Sequence, residues 1–210
     1  MTQLQGQTIP SVNRNRQQGA LNIQQLWLGE SGVSEVMPRY SALAKSGLVF
    51  SARAALQALS AAGTGMVGLQ LWNSSSVQGG VDLHILKVSG NIVATSASCT
   101  GIALAYGRGQ VAAPTGQTAI TSQSCDYIGG NLGAGLAYNA GTFTNAPVAQ
   151  FDLMHNTAAI ATTGEDQGFS WDMEGSIIVP PQTYICFVAL GAAAAASSTN
   201  LNIKWAELSV

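Results

Sequence analysis

The chain has 210 residues and a formal net charge of −2, and only 9% of its residues are charged although 47% are hydrophobic. An ordinary soluble domain carries about 25% charged residues, so this composition excludes a disordered charged tail and a generic, basic nucleic-acid binder. The length fits one large all-β domain, or one domain and an arm, and suffices for a sizeable core.

The first part of the chain differs from the remainder. Residues 1–20 are rich in Gln, Asn and Ser and show no hydrophobic periodicity, so they predict an extended arm that is not an export signal. A short apolar cluster follows at 21–28. No apolar run in the chain approaches the roughly 20 residues that a membrane-spanning helix needs. We therefore expect no membrane partner.

A short helix is predicted at the end of this arm. Pro38 fits the first helical position, and Lys45 would lie in the last turn, where a cation is favourable. Gly47 supplies a C-terminal stop. The pattern predicts a helix over 38–46.

From residue 47 onwards, short apolar stretches alternate with turn residues, and no long amphipathic helix pattern occurs. About eight strands at this spacing predict an all-β fold, an antiparallel β-sandwich or jelly roll over 47–210 that follows an arm over 1–46. Residues 183–190 are apolar almost throughout, which predicts a strand buried on both faces. The candidate strand segments are 48–54, 66–72, 81–87 with a continuation at 91–96, 99–106, 148–153, 169–173 followed by 177–179, 183–190 and 201–205.

Two segments between these strands predict loops. Residues 107–147 are rich in Gly, Ala, Thr and Asn, and a loop of this length is uncommon unless it is functional or makes contacts. We interpret this segment as a long excursion that packs on a neighbouring subunit. Residues 191–200 predict a hairpin loop of small residues.

The residues that usually carry chemistry are sparse. Cys99, Cys125 and Cys186 are odd in number and lack metal-ligand spacing, so we interpret them as buried free thiols. The two histidines, His84 and His155, have no evident nucleophile partner, and no catalytic or phosphate-binding motif occurs. The sequence therefore predicts no enzyme, no cofactor and no metal site.

One group of carboxylates leaves other interpretations open. Glu165, Asp166, Asp172 and Glu174 form the densest acidic group, with the last two on one side of a predicted strand. Paired carboxylates in a cleft hydrolyse glycosidic bonds, and carboxylate oxygens also bind calcium. The preferred interpretation is the solvated side of a half-buried strand.

The four tryptophans also admit two interpretations. Trp72, Trp171 and Trp205 alternate with polar residues in predicted strands, so we expect them in the core, although exposed tryptophans would suit a sugar-binding platform. Trp27 lies in the arm, where a contact with a neighbouring subunit would bury it.

Charge is unevenly distributed along the chain. Residues 1–53 hold five bases and two acids, for a net charge of +3, whereas residues 54–210 hold three bases and eight acids, for −5. Such asymmetry is typical of a basic arm with its own partner. The alternative is an arm of ordinary charge density beside a depleted body.

Four passages in this order resemble the virion proteins of tailed bacteriophages, a loose group of small jelly-roll proteins that decorate or reinforce the head. They are the helix and first strand at 37–51, the strand at 68–73, the strand at 81–88, and the ending from Val179-Pro180-Pro181 to Trp205-Ala206-Glu207. Similar proteins tend to place two acids after that tryptophan. Ala206 replaces the first acid here, so the resemblance assigns no role to Glu207.

The resemblance implies a structural protein that functions in the virion and is assembled in the host cytoplasm. A capsid decoration (cement) or minor capsid protein would bind the major capsid protein or another virion protein as a homotrimer, without direct contact to nucleic acid. The alternative is a carbohydrate- or receptor-binding β-sandwich of a tail or fibre. The candidate capsid or subunit contacts lie in the arm and helix: Arg14, Arg16, Leu26, Trp27, Leu28 and Arg39.

Overall fold

The chain divides into two compact units, Met1–Ala42 and Leu43–Val210. In the first unit, β1 (Leu26–Leu28) pairs antiparallel with β2 (Ser34–Val36). The computed structural model describes residues 26–28, 34–36, 39–94, 101–125, 133–155, 167–190 and 194–209.

The helix α1 spans Arg39–Lys45. Gly47 follows it with a φ of 67°, a left-handed conformation that favours glycine. The Gly47 amide donates to the Ala44 carbonyl at 2.9 Å, and the Leu48 amide donates to the Leu43 carbonyl at 3.1 Å. This pair of hydrogen bonds is a Schellman motif, which ends the helix and leads the chain into the first strand of the sandwich.

In the described part of the second unit, eleven strands form two antiparallel sheets. The six-stranded sheet has the order β10-β6-β12-β4-β9-β7, and the five-stranded sheet has the order β11-β5-β13-β3-β8. The strands are β3 (Val49–Leu59), β4 (Gly65–Asn73), β5 (Val81–Ala94), β6 (Gly101–Arg108), β7 (Thr115–Ile120), β8 (Gln123–Ser124), β9 (Gly135–Thr142), β10 (Val148–His155), β11 (Gln167–Val179), β12 (Thr183–Leu190) and β13 (Ala194–Ser209).

The two sheets pack face to face and confirm the predicted all-β sandwich; the jelly-roll topology stays a prediction. Alternate residues of each strand point into the shared core, because side chains of a strand alternate between its faces. Leu71, Ile185 and Phe187 enter the core from the six-stranded sheet, and Ile85 and Trp205 enter it from the five-stranded sheet. All five are at most 1% exposed, so they form the centre of the fold.

The strand β12 is buried on both faces, as its continuous apolar sequence predicted. Ile185 and Phe187 face the shared core, while Tyr184, Cys186 and Val188 belong to a second apolar cluster on the opposite face of the six-stranded sheet. That sheet therefore packs on both sides.

Two loop predictions are wrong. About half of the described part of 107–147 forms the strands β7, β8 and β9, and β13 begins at Ala194, within the predicted loop 191–200. In both segments the alternating residues are mainly Gly, Ala, Ser and Thr, so the two faces differ little in hydropathy. Pairing with stronger neighbours supplies the order instead: β9 pairs with β4, and β13 pairs with both β3 and β5.

The cysteine prediction is correct for one residue and wrong for another. Cys186 is a buried free thiol, whereas Cys125 is free but exposed, because it follows the short edge strand β8. Cys99 lies outside the described residues. Among the described residues, no helix is long and apolar enough to cross a membrane.

Candidate interaction surface

Charge is segregated between the two sheets. The strands β4, β7, β9 and β12 contain no charged residue, and the six-stranded sheet has its only Asp, Glu, Lys or Arg side chains at Arg108 and Asp152 in the described residues. We define the uncharged face as residues 109–120 and 135–148, which contain no Asp, Glu, Lys, Arg or His. These two segments meet because β7 pairs antiparallel with β9.

Gln110 holds the two loops of the uncharged face together. Its side chain is 3% exposed; its Nε2 donates to the Ala112 carbonyl at 2.5 Å, and its Oε1 accepts from the Thr144 amide at 2.8 Å. Its backbone amide donates to the Gln182 carbonyl at 2.9 Å, and its carbonyl accepts from Trp72 Nε1 at 2.8 Å. One buried residue thus fixes the loop before β7, the loop after β9 and the sheet beneath them.

Aromatic packing supports the second loop from below. Phe143 stacks on Tyr184 with ring centroids 3.7 Å apart and an interplanar angle of 13°. The Tyr184 hydroxyl donates to the Asn145 carbonyl, and Asn145 Nδ2 donates to the Arg108 carbonyl at 3.0 Å. Burial, with a smaller contribution from Cys186, raises the pKa of Tyr184 well above its ordinary value. Tyr184 therefore remains a hydrogen-bond donor at any ordinary pH.

The uncharged face presents apolar and small side chains to solvent. Val111 is 70% exposed and Val148 is 64% exposed. Residues 115–119 of β7 and the loop residues 144–146 are also exposed. A surface of this kind can be covered by another molecule without removing a charge from water, which is the costly step in burying polar surfaces.

The outer side of the five-stranded sheet has the opposite character, and we call it the charged face. It carries Arg53, Lys87, Asp172 and Lys204, with Lys204 directly opposite Lys87 in the β13–β5 register. Lys87 Nζ lies 3.3 Å from Asp172 Oδ1, and both side chains are largely exposed. Ion pairs of this kind remain hydrated and contribute little to stability, so this face is suited to solvent.

The edge strands β10 and β11 form a seam along one side of the sandwich. Trp171 is 45% exposed, so its predicted place in the core is wrong; it lies on an edge strand, where one side of the ring has no neighbouring strand. Its Nε1 donates to the Leu153 carbonyl at 2.9 Å, which ties β11 to β10. The Phe151 ring meets the Trp171 ring edge to face, with centroids 6.1 Å apart.

A cleft opens beside this seam. Its volume is about 180 Å³. The lining is mainly apolar, with Gln150 and Tyr106 as its polar members: Leu104, Ala105, Tyr106, Gln150, Phe151, Ile177 and Ile185.

The predicted site residues have different outcomes. Trp72 is 6% exposed and Trp205 is fully buried, as expected of core residues. Asp172 and Glu174 are exposed and do not line the cleft, so the geometry that glycoside hydrolysis requires is not formed by this pair. Glu165 and Asp166 lie outside the described residues, and the described residues contain no group of three or more potential metal ligands.

The predicted arm contacts stay predictions. Arg14 and Arg16 lie outside the described residues, and only backbone is described for Leu26–Leu28 and Arg39. The residues that build the uncharged face, Gln110 above all, were not identified from the sequence. A glutamine in a polar loop gives no signal of its buried hydrogen bonds.

Comparison with protein-family models, with curated proteins and with solved structures finds no match to this chain.

Proposed function

We propose that this chain is a structural protein of a bacteriophage virion, a capsid decoration or minor capsid protein that functions as a homotrimer bound to the head shell. The observation that carries the proposal is the segregation of charge. A monomer surrounded by solvent has no need of an uncharged surface as extensive as the exposed residues of 109–120 and 135–148 form. A protein that is covered by its neighbours needs an uncharged surface, because interface cores are depleted in charged residues.

The arm supplies the second part of the proposal. The arm, residues 1–46, holds four bases and two acids for a net charge of +2, whereas residues 47–210 hold four bases and eight acids for −4. A basic arm that contains Arg14, Arg16 and Trp27 can bind an acidic or apolar groove of the shell while the sandwich packs against its own copies. The resemblance to phage head proteins covers passages within 37–210, so the anchoring role rests on the charge and composition of the arm alone.

The proposal is tested by quantitative mass spectrometry of purified phage particles encoding this chain. We expect the chain in the particles at a copy number that is a multiple of three. A variant that lacks residues 1–30 should fold but show at least a tenfold lower occupancy, since the anchor has been removed. Absence of the full chain from particles, despite its presence in the infected cells, would overturn the proposal, and undiminished occupancy of the shortened chain would overturn the anchor.

One observation favours a second function, the binding of a glycan at the surface of a tail or fibre. Trp171 is half-exposed and held in a fixed orientation by its hydrogen bond to Leu153, beside the cleft with Gln150. Sites for small ligands combine aromatic surfaces with a few polar groups in this way.

A glycan array followed by titration calorimetry tests this second function. Trp171→Ala should weaken binding of a selected glycan at least tenfold, because the ring surface is lost. Trp171→Phe keeps a ring and serves as the matched control, with a smaller loss. If no glycan binds at millimolar concentration, the alternative is excluded.

A further inference from the structure

We infer that copies of this chain associate through their uncharged faces, which converge around the three-fold axis of the oligomer. The inference deepens the proposed function, on which it rests for its biological setting, by naming the surface through which the copies associate. The surface consists of the loops at 109–114 and 143–147 and the strand β7, which follows the first loop and pairs with β9.

The absence of charge on the uncharged face determines which partner surfaces it can bind. No charged side chain within 109–120 or 135–148 is present to pair with a charge on the partner. A charged residue placed against this face would lose its hydration without gaining a counter-charge, which costs several kcal/mol. The partner surface must therefore be uncharged as well.

The chain itself provides such a surface, whereas its other large face does not. The charged face exposes Arg53, Lys87 and Asp172. Docking of that face onto Val111 and the exposed alanines would bury these charges. The uncharged face of a second copy matches in charge, and its small side chains allow close approach of the two surfaces.

The association uses side-chain packing rather than extension of the six-stranded sheet. The strand β7 is the outermost strand of the six-stranded sheet, and Pro114 directly precedes it. Gly116 within β7 has a φ of 60°. The pairing of β7 with β9 also shifts register near Thr118. Prolines and irregular backbone make an edge strand a poor template for a further strand.

The loops are held in place before association. Gln110 fixes both loops through its buried amide, and Phe143 and Tyr184 support them from below. Binding therefore does not have to order them, and a preorganised surface binds more tightly for the same buried area.

Analytical ultracentrifugation of the full chain tests the inference with three single variants. Val111→Glu and Ala146→Glu each place a carboxylate on the uncharged face at an exposed position. We expect each to raise the dissociation constant of the oligomer at least about tenfold, because charges are brought together and desolvated at the contact. Ile178→Glu is the matched control on β11, where the isoleucine is 43% exposed, and should leave the constant unchanged.

Each outcome decides the inference. A monomeric wild-type chain at micromolar concentration overturns it, and so does an oligomer that survives both face variants or is disrupted equally by Ile178→Glu. Circular dichroism of each variant confirms that the sandwich is folded. Failure of the virion role is a separate result, because a chain that associates in solution through this face and is absent from particles supports the inference while it refutes the proposed function.

Discussion

Replacing Glu207 by alanine is expected to lower the free energy of unfolding by about 3 kcal/mol or more, because a buried donor without its acceptor costs about 1–3 kcal/mol and three donors would lose theirs. The carboxylate is 7% exposed and accepts three hydrogen bonds. Its Oε2 accepts from the Ala134 amide at 2.8 Å, and its Oε1 accepts from the Gly135 amide at 2.9 Å and from Trp205 Nε1 at 3.1 Å. Alanine would leave all three donors without this acceptor.

The position of Glu207 explains why the loss should affect the entire sandwich. The residue lies on β13 of the five-stranded sheet, whereas Ala134 and Gly135 lead into β9 of the six-stranded sheet. The carboxylate therefore joins the two sheets. A Cβ added to Gly135 would lie 2.7 Å from Trp205 Nε1, so glycine is what allows the backbone to approach this closely.

Urea denaturation followed by tryptophan fluorescence measures the effect. Glu207→Gln is the matched control: it keeps the side-chain length and one acceptor oxygen but turns an amide N–H donor towards another donor, so at least half of the loss is expected. A Glu207→Ala variant within about 1 kcal/mol of the wild type would show that water replaces the carboxylate and that the bridge is unimportant.

The sequence predicted the strands in which hydropathy contrast is strong. The alternation in β5 and the apolar run of β12 indicate their structures directly, because large apolar residues point to a buried face. The strands β7 and β9 are built from Gly, Ala, Thr and other residues of weak contrast. β9 pairs with β4, which is distant in sequence, and β7 pairs with β9, so no local pattern could indicate these two strands.

The candidate interaction surface was predictable only in part. The scarcity of charge is evident from composition, but the uncharged face joins residues 109–120 to 135–148 through the β7–β9 pairing. Trp171 shows the same limit. Alternation predicts the side of the strand on which its ring lies, whereas exposure depends on β11 being at the sheet edge.

The resemblance gave no role to Glu207, since Ala206 replaces an acid that similar proteins have. The structure gives the residue one through its three hydrogen bonds. The bond from Trp205 is local, whereas the bonds from Ala134 and Gly135 come from residues more than 70 positions away and depend on tertiary contacts.

Replacement of Asn73 by alanine is expected to lower the free energy of unfolding by about 2–4 kcal/mol, because buried acceptors lose their donors. Asn73 is fully buried at the end of β4. Its Nδ2 donates to the Val81 carbonyl at 2.7 Å and to the Val179 carbonyl at 2.9 Å. Its Oδ1 accepts from the Ser75 amide at 3.1 Å and from the Ser75 hydroxyl at 2.6 Å.

This one amide connects the six-stranded sheet to two neighbouring strands of the other sheet. Val81 begins β5 and Val179 ends β11, so both strand ends are held by a side chain from β4. An aspartate in place of Asn73 would keep the shape but direct a carboxylate oxygen at two carbonyl oxygens. Asn73→Asp should therefore destabilise the protein at least as much as Asn73→Ala, a result that loss of side-chain volume alone does not produce.

Ser75→Ala separates the bridge from the turn that follows it. The serine hydroxyl is only part-buried and belongs to the turn, so its removal should cost about 1 kcal/mol and leave the contacts from Asn73 to Val81 and Val179 in place. Chemical denaturation of the three variants should rank them with Ser75→Ala mildest and the two Asn73 variants at or beyond twice that loss. If Asn73→Asp is instead as stable as the wild type, the two carbonyls do not depend on this donor and the sheets are joined at this end by packing alone.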